Sequence, residues 1–210
     1  MLDLLRAVLA SRTDVTLPDV DDIGATLVAF AAAGRRVGKL PLVLASDETA
    51  SLRAAGIDWP LAARVDELWR IALLVGAAGC ADLERLITDA YRHGDTDERC
   101  AVLRALPILP EPGRFATLAA DACRTSVRPI FAAIAVQNPY PARHLGALHF
   151  NQMVLKALFL DEPLAGVIGF DGRRTPELAR MAADYARERR AAGRPVSADL
   201  ADLAANEGRA

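Results

Sequence analysis

Lysine is nearly missing from this 210-residue chain: Lys39 and Lys156 stand against 23 arginines. A net charge of −2 leaves no broad attraction to nucleic acid or to anionic lipid. The arginine excess, beside so much alanine, reads as compositional bias rather than a binding signal. Cysteine is scarce too. Cys80, Cys100 and Cys123 are odd in number, widely spaced and without a C-x-x-C pair. They form neither a disulfide framework nor a metal-ligand set, and are read as free thiols in a reducing compartment. The longest apolar runs, "IGATLVAFAAAG" and "IALLVGAAGCA", fall well short of the ~20 residues that cross a bilayer. Asp3 and Arg6 interrupt any signal-peptide core at the N-terminus. The expectation is a soluble, cytoplasmic protein without a membrane-spanning segment.

Strand patterns are almost absent as well. "KLPLVLAS", at 39–46, is the one candidate, and Pro41 and its shortness make it an extended linker instead. What is present is helix. Apolar residues make up 52% of the chain, and they recur every three and four positions. Ser46 reads as the N-cap of a helix closing on Gly56. Pro60 precedes a long helix on which Leu61, Val65, Leu68, Ala72 and Val75 form a stripe. Asp95 and Glu98 make a capping box, and Thr175, Pro176 and Glu177 open a helix that Gly193 and Pro195 end. The fold class is therefore all-α. One domain over residues 1–210 is expected, built of stacked antiparallel helical hairpins. From Trp69 to Val136 these are HEAT-like or, alternatively, an irregular helical bundle.

Unusual residues gather in "AVQNPYPARHLGALHFNQMVLKALF". Pro139 and Pro141 should hold Asn138 and Tyr140 out of helix and make a rigid joint, with Asn138 satisfying loose backbone groups. On the helix that follows, Leu145, Leu148, His149, Gln152 and Lys156 are spaced three or four apart. Asn151 falls on a face that otherwise reads as core. In the plainer reading these polar residues tie a central helix to its neighbours, and Lys156 reaches Asp161 or Glu162. In the functional reading Asn138, Tyr140 and the strip from Leu145 to Lys156 line an apolar pocket whose few polar groups orient a ligand.

Catalytic signatures are missing: no Walker loop, G-x-S-x-G, H-E-x-x-H or strand-linked G-x-G-x-x-G. Asp19, Asp21 and Asp22 suit a capped helix start better than a metal cluster. No cofactor is expected. Arg173 and Arg174, beside a helix N-terminus, are a weak candidate for holding a phosphate or diphosphate, with Asp171 and Glu177 working against it.

"NPYPARHL", "FNQMVLKALFLDEPL" and "RTPELARMAADYARERRAAGRPVS" together resemble the C-terminal signature of the EboA family over about residues 138–200. Such proteins are encoded beside a UbiA-like prenyltransferase and TIM-barrel enzymes in bacterial secondary-metabolite clusters. The resemblance implies metabolite traffic: moving a lipophilic or prenylated precursor from cytoplasm towards periplasm. It supplies no catalytic residue.

Three functions follow as expectations. The first is a non-catalytic binding or adaptor protein whose partners are a lipophilic small molecule or other proteins of the cluster. The second is an isomerase or lyase with Lys156 or His149 as base. The third is a pure protein scaffold, with Arg187, Arg189, Arg190 and Arg194 rimming an interface.

Overall fold

In the computed structural model, residues 1–18 and 22–205 are described. They form twelve α-helices joined by short 3-10 turns, with no strand among the described residues. The protein is an all-α helical bundle; HEAT-like stacking remains an expectation from the sequence. Asp19 and Asp21 lie outside the described residues. Asp22 caps as expected, its Oδ1 accepting the Ala25 amide at 2.8 Å. The chain folds as two compact units, Met1–Ile134 and the remainder from Ala135.

The first unit is built around α4 (Val65–Gly76), which packs against α1 (Leu2–Ala10), α2 (Ile23–Val37) and α6 (Thr96–Ala105). Every residue from Val65 to Leu74 is buried. A helix enclosed on all sides has no polar stripe, so the stripe read from the sequence covers only part of its buried surface. The long helix also starts four residues later than Leu61. Leu42 N–H bonds Ala63 O at 2.9 Å and Val65 N–H bonds Leu40 O at 3.0 Å. These bonds hold residues 61–64 extended against the 39–45 segment, with a single bridge between Pro41 and Arg64.

That 39–45 segment is the extended linker expected from "KLPLVLAS". It leads into α3 (Ser46–Ala54), whose N-cap is Ala45 rather than Ser46. Glu48 Oε2 reaches back to accept the Ala45 amide at 2.8 Å and so moves the boundary one residue earlier. Gly56 follows with φ +85°, the left-handed end that glycine allows. Onward, α5 (Leu83–His93) and α6 pack together. Their junction carries the expected reciprocal cap: Asp95 Oδ1 accepts Glu98 N–H at 2.9 Å, and Glu98 Oε2 accepts Asp95 N–H at 3.0 Å. α7 (Ala116–Arg124) and α8 (Arg128–Ala135) complete the run.

The second unit holds α9 (Tyr140–His144), α10 (Ala147–Phe159), α11 (Pro176–Ala191) and α12 (Ala198–Ala205). α11 packs on α12 and on α10. Thr175 caps α11, its Oγ1 accepting Leu178 N–H at 3.1 Å, and Gly193 leaves it at φ +66°.

Candidate functional site

The first unit holds a mainly apolar cavity of about 400 Å³ that opens to solvent. Its walls come from four pieces of chain. α1 supplies Leu5 and Val8, the 39–45 strap Leu42 and Leu44, α3 Leu52, and the stretch into α4 Trp59, Leu61 and Leu68. The strap can do this because it is extended: side chains alternate, so Leu42 and Leu44 face the cavity while Val43 stands 78% exposed.

One arginine pins three of those walls. Arg12, just past α1, donates from Nη1 to Val8 O at 2.6 Å and from Nη2 to Val43 O at 2.6 Å. It also grips both carboxylate oxygens of Glu48 on α3 at 2.5 Å. The Arg12 guanidinium holds the Glu48 carboxyl well below the usual range, at about 2, and the Ala45 amide adds to the effect.

The floor helix α4 carries a second set of charges, buried at Asp66, Glu67 and Arg70. Asp66 accepts from Arg70 Nη1 at 2.6 Å and from Arg64 Nε at 2.9 Å. Arg64 continues to Asp97 at 3.0 Å, and Lys39 at the start of the strap meets Asp97 at 2.7 Å. Glu67, on the same turn, takes Arg104 of α6 at 3.1 Å and the Ala63 amide at 2.7 Å. Burial drives the Asp66 carboxyl upward, but the hydrogen bonds from Arg64 and Arg70 outweigh it and leave it lowered. Cys100 is half-buried, and desolvation with the nearby Glu67 charge pushes its thiol up to about 11. The set fixes the geometry of α4, strap and α6 and leaves no reactive thiolate at neutral pH.

In the second unit the structure separates the residues singled out in the sequence. Asn138, Tyr140 and Leu145 are buried; Leu148, His149 and Gln152 are exposed; Lys156 is half-buried. The physical reason is a break at Leu145–Gly146, which starts α10 only at Ala147 and turns Leu148, His149 and Gln152 outward. The joint differs as well: Tyr140 and Pro141 are the first two residues of α9, not an extended link. Asn138 Oδ1 accepts the Tyr140 amide at 2.9 Å, an Asx turn that lets a short helix start there. Burial pushes the Tyr140 phenol above its ordinary range.

Arg173 is committed inside this unit. Its guanidinium donates to Ala142 O at 2.7 Å and Leu145 O at 2.8 Å and stacks over Phe150 at 4.6 Å. Arg174 bonds Asp202 at 2.8 Å and lies over Phe170 at 5.3 Å. Carbonyls, a carboxylate and two rings thus occupy the groups expected to hold a phosphate, and the two arginines go to different partners. Lys156 borders a shallower groove of about 480 Å³ between α10 and α11, with Leu155, Phe159, Met181 and Tyr185.

A family model described as metabolite traffic protein EboA matches residues 16–205. The chain belongs to the EboA family. No curated protein and no solved structure matches it. The match to this EboA chain spans both the cavity walls from the strap onward and the C-terminal stretch that carried the resemblance. Among the described residues no helix is long and apolar enough to cross a membrane.

Sequence reasoning missed the EboA cavity. Its lining is mostly apolar and comes from short, separate elements, and its polar members, Thr49, Arg53 and Asp58, form no motif in the sequence. The one available signal was the alternation in "LPLVL", which in an all-helical chain says that an extended piece has two different faces.

Proposed function

We propose that this EboA chain is a non-catalytic carrier that holds an apolar small molecule in the cavity between α1, the strap, α3 and α4. The observation that carries this reading is the cavity itself. About 400 Å³ with walls of Leu, Val, Ile and Trp is the size and chemistry of small-molecule sites. A lipophilic or prenylated precursor, handled in the cytoplasm on its way towards the periplasm, fits both the walls and the family's role. The alternative of an isomerase or lyase has less behind it. His149 stands in solvent and makes no side-chain hydrogen bond to an orienting carboxylate among the described residues.

A neutral fluorescent probe such as N-phenyl-naphthylamine tests the reading. Binding to the wild type, weakened at least tenfold by Leu44→Trp (which fills the cavity from the strap) and unchanged by His149→Ala with Lys156→Ala, is the expected result. Binding lost in the α10 variants and kept in Leu44→Trp would move the site to the second unit. No binding at all would overturn the carrier.

The groove between α10 and α11 favours a second reading, a protein-docking scaffold. Phe159 is 57% exposed beside it and Leu148, on the same helix, 61%. Cross-linking within a reconstituted cluster, compared between wild type and Phe159→Ser, separates the two.

A further inference from the structure

The cavity is not apolar all the way to its mouth. Among the described residues two charged side chains line it, Arg53 on the last turn of α3 and Asp58 just after the turn at Gly56. Both are exposed, and neither side chain makes a hydrogen bond or an ion pair among the described residues, not even with the other. The charges that hold the walls together behave differently: Arg12 and Glu48 are locked to each other. Arg53 complements the C-terminal end of the α3 dipole, which accounts for a cation there but not for an anion beside the same cavity.

From this we infer that Arg53 and Asp58 select the ligand's head group. The occupant is an amphiphile with an apolar tail against Leu52 and Leu68 and a head carrying both an anionic and a cationic group. The anion meets Arg53, whose planar guanidinium suits a carboxylate or phosphate. The cation meets Asp58. A ligand of one sign would gain one contact and be repelled by the other charge, whereas a zwitterion gains both. This selection rests on the cavity being the binding site, as proposed above.

The test uses four molecules built on the same straight ten-carbon chain with different heads, namely decanol, decanoate, decylammonium and zwitterionic α-aminodecanoate. Each is titrated by calorimetry into the full chain and into Arg53→Gln and Asp58→Asn. Both substitutions are at exposed positions and remove little beyond the charge, so folding is preserved, and circular dichroism confirms it. The expected result is that α-aminodecanoate binds about three- to ten-fold tighter than decanol, the size that two solvent-screened ion pairs supply. Each substitution should abolish most of that preference while leaving decanol unchanged. Equal binding of all four overturns the head-group selection and leaves the carrier standing. Tightest binding of decanoate or decylammonium overturns the two-charge selection as well. If none of the four binds, the carrier falls, and the selection falls with it.

Discussion

Arg70 donates from Nη1 to Asp66 Oδ2 at 2.6 Å, one helical turn apart, with 3% and 0% of their side chains left in water. Arg70 Nε also bonds Phe30 O at 3.1 Å, so the pair joins α4 to α2. Two charges removed from water this completely repay the desolvation only while they stay together. Asp66→Ala therefore leaves Arg70 buried without its counterion and is expected to cost about 3–5 kcal/mol. The double change Asp66→Leu with Arg70→Met removes both charges and should cost less than the single one. Urea midpoints of the two variants check this; a single change costing less than about 1 kcal/mol by the same measurement would mean that water reaches the pair.

Glu48 sets the acid limit of the cavity rim. Its carboxyl sits at about 2 in the folded chain against an ordinary 4.5, because Arg12 and the Ala45 amide favour the charged form. A lowered folded pKa stabilises above the unfolded value and is lost as pH falls towards the folded one. The window is thus between about pH 4.5 and 2. Asp97, lowered by Lys39 and then Arg64, adds in the same direction. Thermal midpoints of the wild type should fall across this window. Glu48→Gln should show a lower midpoint at neutral pH and a flatter decline; parallel curves would remove Glu48 as the cause.

How much of this was legible in the sequence follows from how local each feature is. The Asp95–Glu98 box and the Thr175 cap were readable because their partners lie three residues away. The extended strap was readable because Pro41 and the shortness of the run interrupt a helical chain. The cavity was not, since Leu5, Leu42, Leu52 and Leu68 meet only in the folded unit. The same holds for the bond from Arg12 to Val43, 31 residues on. On α10 periodicity was right but phase was lost at Leu145–Gly146, because no local signal says which side of an amphipathic turn meets the neighbours.

Two glycines with positive φ separate backbone strain from crowding. Gly169 has φ +75°, and a Cβ there would lie 2.7 Å from Ala142 Cβ; Gly193 has φ +66° with open space around it. Gly193→Ala should cost only the left-handed penalty, about 1–2 kcal/mol. Gly169→Ala must also push back the α9 side chain, so it should cost more. Equal losses in chemical denaturation would mean that the 163–171 turn yields without resistance.

Asn138 and Asn151 are both buried, yet they stand differently. Asn138 Oδ1 holds the Tyr140 amide, while Asn151 Oδ1 is enclosed with no hydrogen-bond partner among the described residues. Truncating Asn138 strands a buried donor, which costs about 1–3 kcal/mol. Truncating Asn151 removes an unsatisfied acceptor, so Asn151→Ala should be the milder change, limited mainly to lost packing. Denaturation midpoints of the two variants decide it. If Asn151→Ala is instead the more damaging, its amide is partnered in solution by a molecule the polypeptide itself does not provide. Adding a metabolite that carries a hydroxyl or amine donor should then raise the wild-type midpoint and leave that of Asn151→Ala unchanged.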